Sequence, residues 1–584
     1  MCGIFFCAST LQHRVDEGLL RRLREINAQR GPDAQSSCFR YPSPSRSRNP
    51  LQCEGVKDLR MEFFSSELRL RGNFPVVQPH QKDGNVLCWN GEIFDGIDIA
   101  TEENDGVELF KILCALNETE EIRDAFARIE GPYAFVFYHA ASQKLFFARD
   151  PLGRRSLLFH RPSSQNPYLL LASVSVGNDQ RYNFEEVPTG TIHVVDISRL
   201  EGSENMDASF EDCLSFLPRQ SGSKHHKYAT PPRLNQNFPG DESARIGALD
   251  TIPDWLQSTV DDLIQHLDRS VMLRVQNIPP TQPGQSRLAV LFSGGIDSTV
   301  ITLLAHRHIP IDEPIDLLNV AFENPRKIRV HNEGNFGGVP KKQKKRNTPQ
   351  IATSNNATYM VPDRKTGLQE VEELKRLCPG RVWNFVEVDV PYQESRAARK
   401  HVESLMTPGR TVMDLSLAIA LYFASRAVGQ IRSQPDADSV PYTSPARVLL
   451  NGLGSDELLG GYGRHRSAYS SGGWSAVIEE LQLEIDRIPT RNLGRDDRVI
   501  SSHGKETRHP FLSLDVVSFL AELPVHFKMD PRLEVGLGDK ALLRLSCYKL
   551  GLVEASSRKK RALQFGSHSA RMEETDTKGD LLLE

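Results

Sequence analysis

The sequence contains no long hydrophobic run and no large charge of one sign. No stretch of its 584 residues approaches the roughly 20 apolar residues that a membrane-spanning helix needs. The apolar start, Met1 to Cys7, is too short for a secretory signal peptide and has no basic flank. The formal net charge of −4 favours neither nucleic acid nor anionic lipid as a partner. We therefore expect a cytoplasmic protein without a membrane or nucleic-acid partner.

Cysteines are few and show no pairing pattern. The nine cysteines are scattered along the chain, with no CxxC pair and no dense framework, which favours a reducing compartment. Hydrophobic residues make up 39% and charged residues 25% of the chain, as in ordinary globular proteins. A chain of 584 residues exceeds the size at which one hydrophobic core keeps growing, so we expect at least two domains.

The first part of the chain, residues 1–195, has the pattern of a β-rich domain with intervening helices. Helical spacing occurs at residues 12–29 and 105–116. Residues 196–254 lack steady periodicity and are predicted to be an irregular linker or insertion. Short strand-like runs in the first part occupy Val86–Trp89, Tyr133–Tyr138, Lys144–Ala148 and Tyr168–Ala172.

The second part, residues 255–570, alternates apolar runs with helical stretches. This alternation predicts a parallel α/β sheet whose strands are buried on both faces. Residues 324–358 are polar and lysine-rich and are predicted to be a solvated insertion, and 571–584 a frayed tail. The buried strands are predicted at Leu288–Phe292, Ile315–Phe322, Trp383–Val388 and Val448–Leu450.

The most informative residue is Cys2. If Met1 is removed, Cys2 carries a free α-amine next to its own thiol. That amine, with an ordinary pKa of about 7.7–8.0, can take the proton of the thiol, so the nucleophile needs no distant base.

A second candidate site follows the buried strand at 288–292. The turn Ser293-Gly294-Gly295-Ile296-Asp297-Ser298 leads from this strand into a helix, and such a turn presents backbone N–H groups to an anion. Asp297 would repel a bare phosphate, which suggests a bridging Mg²⁺. Another acidic loop, containing Gly454 and Asp456, follows the strand at 448–450 and could reach the same metal and pyrophosphate.

Together these motifs resemble the glutamine-hydrolysing asparagine synthetases over nearly the whole chain, and more narrowly their divergent branch of asparagine synthetase domain-containing proteins. The matching segments are Met1–Ile4, Arg30–Asp33, Trp89–Ile93, Asp105, Arg149–Arg154, Ser293–Ser298, 452–462, Arg495–Arg498, Arg508–Leu512 and Lys560–Ser567.

The resemblance implies both a fold and a reaction. It implies an N-terminal-nucleophile hydrolase sandwich (a class II glutaminase) followed by a PP-loop ATP pyrophosphatase domain, like the adenine nucleotide α-hydrolases. Glutamine, ATP and aspartate or another carboxylate would be the substrates, Mg²⁺ the cofactor and a homodimer the assembly. The product would be asparagine, with AMP and pyrophosphate, made by ammonia attack on a β-aspartyl-adenylate.

Each candidate residue receives a role from the resemblance. Cys2 would attack the glutamine amide, and Asn90 and Gly91 would stabilise the oxyanion. Lys560 would neutralise pyrophosphate. The remaining assignments are Asp105 and Arg69 for glutamine; Ser293, Gly294, Gly295, Asp297, Ser298 and Gly454 for ATP; and Asp297 and Asp456 for the metal.

The sequence departs from the family pattern at three places. Leu68 lies near the position of the arginine that holds the glutamine carboxylate, so Arg69 or Arg71 would have to substitute. Leu453 stands where a glutamate is usual, and Thr407-Pro408 where another carboxylate is expected. Two alternatives to an asparagine synthetase therefore stay open: the same half-reactions with a different acceptor acid, and a catalytically weak interaction or regulatory descendant.

Overall fold

The structure is a computed structural model that describes residues 2–10, 12–41, 59–201, 206–220, 226–240, 245–323, 358–434, 437–572 and 582. The strands are β1 (Gly3–Thr10), β2 (Ala34–Arg40), β3 (Leu59–Glu67), β4 (His80–Lys82), β5 (Asn85–Gly91), β6 (Tyr133–His139), β7 (Lys144–Arg149), β8 (Leu158–His160), β9 (Leu169–Ala172), β10 (Glu185–Glu186), β11 (Thr191–Asp196), β12 (Leu214–Pro218), β13 (Leu288–Leu291), β14 (Ile315–Phe322), β15 (Trp383–Val390), β16 (Val428–Ile431), β17 (Val440–Thr443), β18 (Val448–Leu450) and β19 (Glu506–Arg508).

The α-helices are α1 (Glu17–Ala28), α2 (Asp105–Cys114), α3 (Thr119–Phe126), α4 (Ile197–Glu201), α5 (Met206–Cys213), α6 (Gln257–Val275), α7 (Ile296–His306), α8 (Pro362–Leu377), α9 (Tyr392–Met406), α10 (Val412–Arg426), α11 (Ser455–Leu459), α12 (Gly463–Ile488), α13 (Gly494–Ser501), α14 (Leu514–Glu522), α15 (Val525–Lys528), α16 (Ala541–Lys549), α17 (Val553–Ser557) and α18 (Leu563–Gly566).

The first unit consists of two six-stranded sheets packed face to face, with strand orders β10-β8-β9-β1-β3-β2 and β12-β11-β7-β6-β5-β4. Both faces of β1 carry apolar side chains, and successive side chains of a strand point to opposite faces, so the sheet is covered on both sides. Ile4 and Phe6 enter the core between the sheets, whereas Phe5 and Cys7 pack against α1 on the outside. On the other outer face, α2 and α3 cover the second sheet. The unit therefore has four layers.

The strands and helices predicted in the first unit are confirmed as β5, β6, β7, β9, α1 and α2. The unit extends beyond residue 195, however. β12 at Leu214–Pro218 pairs antiparallel with β11, although this segment falls in the predicted irregular linker. Its side chains are mostly exposed or half-buried and give only a weak apolar pattern, so only pairing with β11 identifies it as a strand.

The second unit is built on a seven-stranded sheet of order β17-β16-β15-β14-β13-β18-β19. The strands β15, β14, β13, β18 and β19 are parallel, while β16 and β17 form an antiparallel edge. Along β13, Leu288 and Val290 enter one core and Ala289 enters the core on the opposite face. The predicted parallel sheet, buried on both faces, is confirmed.

Two predicted segments fall largely outside the described residues. The polar insertion at 324–358 is described only at residue 358, and the tail at 571–584 only at residues 571, 572 and 582. The eight described cysteines are all free thiols. None of the described helices combines the length and apolar character needed to cross a bilayer.

Candidate active sites

The first candidate site surrounds Cys2, which directly precedes β1. Its backbone N–H donates to Asn90 Oδ1 at 3.0 Å, and its carbonyl accepts from Arg30 Nε at 3.2 Å. A Cβ on the neighbouring Gly3 would lie 1.9 Å from the carbonyl oxygen of Asn27, so only glycine fits there. These contacts fix the backbone on both sides of the thiol.

The Cys2 thiol is buried and protonated at neutral pH. Burial raises its pKa to about 11, so a base must remove its proton before it can attack a carbonyl carbon. Gln78 places its Nε2 at 3.7 Å from the sulfur and accepts from the backbone N–H of Trp89 through its Oε1 at 2.8 Å. An amide can donate to this thiol but cannot deprotonate it.

Asn90, at the end of β5, has an unused hydrogen-bond donor beside Cys2. Its side chain is fully buried, its Oδ1 accepts from Cys2, and its Nδ2 has no hydrogen-bond partner. Leaving a buried donor unpaired costs about 1–3 kcal/mol. Asn90 does not itself line the Cys2 cavity, so a ligand acceptor would reach Nδ2 only after the side chains around it move. The next residue, Gly91, lines the cavity, and a Cβ on it would lie 2.5 Å from the Trp89 ring.

The structure brings Asp105 into the same cavity. Asp105 begins α2 and is buried, and its Oδ2 accepts from the backbone N–H of Ile93 at 3.0 Å and from Trp89 Nε1 at 3.3 Å. Burial raises the pKa of its carboxyl above the ordinary value. A ligand ammonium placed beside it would stabilise the ionised form.

Arg69, the predicted glutamine ligand, does not line the Cys2 cavity, whereas Leu68 and Arg71 do. The Arg69 guanidinium contacts the carbonyl of Val76 at 3.5 Å and the carboxylate of Glu67 at 3.6 Å. The physical reason is the path of the chain after β3 ends at Glu67, because this segment is not a strand and its side chains do not alternate regularly between two faces. The geometry thus places Arg71, not Arg69, beside the nucleophile.

Three further carboxylates line the Cys2 cavity, and no local sequence pattern indicates them. Glu67 and Glu92 come from the first unit, but Glu506 belongs to β19 of the second unit. The free volume is about 20 Å³, which holds about one water, so a substrate must displace side chains to enter. The lining is Cys2, Glu67, Leu68, Leu70, Arg71, Gln78, Trp89, Gly91, Glu92, Asn104, Asp105 and Glu506.

Buried ion pairs join the two units around Cys2. Arg30, which holds the Cys2 carbonyl, donates through Nη2 to Asp497 Oδ2 on α13 at 2.7 Å. Arg155 of the first unit lies 2.9 Å from Glu506. All four side chains are almost completely buried. The second unit therefore supports the first site directly.

The second candidate site lies at the carboxyl end of β13. Gly294 adopts a φ of +75°, and a Cβ there would lie 2.5 Å from the backbone nitrogen of Gly367, so this turn requires glycine. Gly295 caps α7 and donates its N–H to Ser293 Oγ at 3.3 Å. Ser298 donates its hydroxyl to the carbonyl of Gly295 at 3.1 Å. The predicted strand–turn–helix arrangement is present.

Asp297 and Asp456 converge, as predicted, but on a lysine that the sequence did not reveal. Lys540 Nζ lies 2.7 Å from Asp297 Oδ1 and 2.6 Å from Asp456 Oδ1. It also donates to Ser455 Oγ at 2.9 Å. Lys560, the basic residue singled out from the sequence, contacts the other oxygen of Asp456. The two lysines hold the pKa of Asp456 well below its usual range, against the effect of burial.

Two adjoining cavities, each of about 710 Å³, share Ser293, Asp297, Asp363, Lys560 and Arg561. The first, called here the apolar cavity, has walls that include Phe292, Leu318, Leu421, Leu453 and Leu563. The second, the basic cavity, contains Gly294 and Gly295 of the turn. Gly454 lines neither cavity; its φ of +102° shapes the turn before α11. The basic residues of the basic cavity are Lys365, Lys540, Arg544, Arg558, Lys559, Lys560 and Arg561.

Of the two departures from the family pattern in the second unit, one lies in the apolar cavity and the other does not. Leu453 lines it, whereas Pro408 does not. The first carboxylate after Pro408 in the sequence is Asp414, which lines the cavity and pairs with Arg495 at 2.5 Å. Asp414, one of six carboxylates that line the apolar cavity, is therefore already engaged by a guanidinium.

The two carboxylates beside the turn fit a magnesium ion. Mg²⁺ in phosphate-transfer sites is held by one or two carboxylates together with substrate phosphates and water. Asp297 and Asp456 meet that requirement, since both contact one cation, the Lys540 ammonium. Among the described residues no three histidine, cysteine or carboxylate side chains form a metal cluster, so phosphate oxygens would have to complete the coordination.

Comparison with known proteins identifies two domains in the chain. A family model described as a glutamine amidotransferase domain matches residues 63–175, and one described as asparagine synthase matches residues 467–578. The first match contains Asn90, Gly91 and Asp105, and the second contains Lys540 and Lys560.

Three curated relatives show how far the similarity extends. Asparagine synthetase domain-containing protein 1 of Bos taurus is 34% identical, over 99% of this chain and 96% of the relative. A Saccharomyces cerevisiae asparagine synthetase domain-containing protein is 33% identical, over 94% of this chain and 92% of the relative. The glutamine-hydrolysing asparagine synthetase of Gallus gallus is 22% identical, over 86% of this chain and 74% of the relative.

Proposed function

This chain belongs to the family of asparagine synthetase domain-containing proteins, and from that membership we propose that it is an ATP-dependent, glutamine-hydrolysing amidotransferase of the asparagine synthetase type. The observation that carries the proposal is the side chain of Asn90, which binds the Cys2 N–H and leaves its own Nδ2 without a partner. We further assign the first unit to the N-terminal-nucleophile hydrolases and the second to the PP-loop ATP pyrophosphatases.

At the first site, Cys2 acts as the nucleophile once Met1 has been removed. The nitrogen of Cys2 is then a free amine, which Asn90 Oδ1 orients at 3.0 Å and which accepts the thiol proton. The sulfur attacks the γ-amide carbon, the C–N bond breaks, and ammonia leaves with the transferred proton. Asn90 Nδ2 donates to the oxyanion. Water then cleaves the thioester and regenerates the thiol.

At the second site, the turn Ser293–Ser298 binds the phosphates of ATP. Asp297 and Asp456 would hold Mg²⁺, which neutralises phosphate charge and orients the triphosphate. Lys540 and Lys560 supply positive charge beside the same carboxylates, where pyrophosphate must leave. The acceptor carboxylate attacks the α-phosphorus, and ammonia from the first site displaces AMP from the acyl-adenylate. With aspartate as the acceptor the product is asparagine.

A second candidate function differs only in the acceptor acid. Leu453 and the apolar walls of the cavity it lines favour an acid with a more apolar body than aspartate. ATP would still be cleaved to AMP and pyrophosphate, since the turn and its carboxylates are common to both functions.

The proposed function is tested by incubating the protein, with its N-terminus verified to begin at Cys2, with glutamine, ATP, Mg²⁺ and aspartate. Glutamate, AMP and asparagine are measured separately, and we expect all three. Glutamate without asparagine would reject aspartate as the acceptor and leave the second candidate. No turnover of any kind would instead support the interaction or regulatory descendant.

Replacing Asn90 by alanine is expected to lower the rate of ammonia release by about 10²–10³-fold, the usual cost of losing one oxyanion donor. The rate constant kcat should carry the loss, because the donor acts on charge that develops in the transition state. The matched control is Asn85→Ala, at the other end of β5, whose amide contacts Cys114 and Ala140 and not Cys2. Equal losses in both variants would contradict the oxyanion role.

A further inference from the structure

Two contacts hold the backbone of Cys2, one on each side of the α-carbon that carries the thiol. Its nitrogen lies 3.0 Å from Asn90 Oδ1, and its carbonyl oxygen accepts from Arg30 Nε at 3.2 Å. Together they fix the position of the α-carbon, and with it the place from which the sulfur attacks an amide bound in the cavity. The position of Cys2 therefore depends on what holds Arg30.

Arg30 is held by the second unit. Its side chain is fully buried, and each of its three guanidinium nitrogens donates to one acceptor. Nε donates to Cys2, Nη1 donates to Ser501 Oγ at 2.5 Å, and Nη2 donates to Asp497 Oδ2 at 2.7 Å. Ser501 and Asp497 both belong to α13. Two of the three acceptors that orient this guanidinium therefore come from the second unit.

Asp497 is the charged partner of Arg30, and among the described residues it is the single carboxylate that pairs with that guanidinium. Its Oδ2 also accepts from the backbone N–H of Ser156 at 3.1 Å, and its Oδ1 lies 3.7 Å from Arg155 Nη1. Burial raises the pKa of Asp497, but Arg30 and Arg155 lower it by more, so the pKa lies below its ordinary value. An ionised carboxylate holds a guanidinium more firmly than a neutral acceptor does.

The helix that carries Asp497 also belongs to the second site. Arg495 and Asp496, which directly precede Asp497, line the apolar cavity, and every residue of α13 is buried. Asp497 itself does not line the Cys2 cavity, so any effect it has on the nucleophile passes through other side chains. One short helix therefore forms part of the second site and supports the nucleophile of the first.

We infer that Asp497 is a positioning residue for amide hydrolysis, because through Arg30 it fixes Cys2 where the sulfur can attack. The inference rests on the proposed function of Cys2 and adds that the first unit reaches its full rate only with α13 of the second unit in place. Asp497 contacts neither the substrate nor the reacting atoms. Ser501, which holds another nitrogen of the same guanidinium, contributes in the same direction but without a charge.

The test is the variant Asp497→Asn in the full chain beginning at Cys2, which keeps the size of the side chain and removes its charge. We expect kcat for ammonia release from glutamine to fall about 10–100-fold, the usual cost of displacing a reacting group. KM should stay within about twofold, since binding of the ground state is untouched. A higher KM with an unchanged kcat, or no change in either, would overturn the inference. If circular dichroism shows that Asp497→Asn is unfolded, the milder Ser501→Ala decides in its place, with an expected severalfold loss of kcat.

Two further variants separate positioning from general stability. Arg30→Met combined with Asp497→Asn should be no slower than Arg30→Met alone, within about twofold, because residues that act through one another are not additive. Glu130→Gln is the matched control, since Glu130 is an equally buried carboxylate that joins the units through Arg154 and Arg274. It should leave kcat unchanged. Losses that multiply in the double variant, or an equal loss in Glu130→Gln, would reject the route through Arg30.

Covalent labelling separates this inference from the proposed function. The electrophilic glutamine analogue 6-diazo-5-oxo-L-norleucine alkylates a positioned thiol without any release of ammonia, and mass spectrometry follows its attachment to Cys2. We expect labelling to be about 10–100-fold slower in Asp497→Asn than in the wild type. Slower labelling of the variant, in a protein that releases no ammonia, would support the inference and reject the catalytic function. Equal ammonia release by both proteins would support the function and overturn the inference.

Discussion

Replacing Cys2 by alanine is expected to reduce ammonia release from the amide donor by on the order of 10⁶-fold, as removal of the nucleophile does in other acyl-transfer enzymes. The alanine keeps the α-amine and its contact with Asn90, so only the sulfur is lost. Synthesis from added ammonia should continue at the wild-type rate, because the turn at Ser293–Ser298 is untouched. Both activities are followed in one assay, by ammonia release and by AMP formation.

The matched control for this variant is Cys114→Ala, at the carboxyl end of α2. Cys114 is a partly buried free thiol outside the Cys2 cavity, so its replacement should leave both activities within about twofold of wild type, as changes away from a site usually do. Persistent use of the amide donor in the Cys2→Ala variant would show that another group is the nucleophile.

Replacing Lys540 by methionine is expected to abolish ATP cleavage and to lower the free energy of unfolding by about 3–5 kcal/mol, the usual cost of breaking a buried ion pair. Lys540 is buried between Asp297 and Asp456, so its loss leaves two carboxylates facing each other. Urea denaturation measures the stability, and exchange of pyrophosphate into ATP measures the activity.

The pH dependence of this stability loss identifies its origin. The pKa of Asp456 is lowered in the folded protein. The ionised carboxylate therefore adds to the free energy of unfolding above the unfolded pKa of about 3.9, and this contribution is lost as the pH falls from there through the lower pKa of the folded state. The stability difference between wild type and Lys540→Met should therefore shrink in acid. A difference that stays constant down to low pH would indicate lost packing and not lost charge pairing.

Two further variants separate folding from chemistry. Lys560→Met removes a partly exposed ammonium that contacts only one oxygen of Asp456, so its effect on stability should stay below about 1 kcal/mol while AMP formation falls. Combining Lys540→Met with Asp297→Asn removes one of the opposed charges and should restore part of the stability without restoring activity. Restored activity in the double variant would show that Lys540 has no role in ATP use.

The periodicity of apolar residues in the sequence was sufficient to predict most of the strands and helices. The buried runs at Ile315–Phe322 and Trp383–Val388 appear as the parallel strands β14 and β15, because a strand covered on both faces must be apolar throughout. β12 was not predicted, since a strand at the edge of a sheet needs no strong apolar pattern and forms only by pairing with β11.

Local patterns in the sequence predicted the nucleophile candidate, the turn at Ser293–Ser298 and the carboxylates Asp297 and Asp456, because a few adjacent residues carry the chemistry of each. The tertiary structure was needed to show that Arg71 lines the Cys2 cavity, that Glu506 reaches this cavity from the second unit, and that Lys540 joins the two carboxylates. These residues have no local signature. Lys540 is 243 positions from Asp297, and Arg71 is distinguished from Arg69 only by the direction of the chain after β3. Which charged residues contact one another between sheets depends on how those sheets pack, and the spacing of residues in the sequence does not predict that packing.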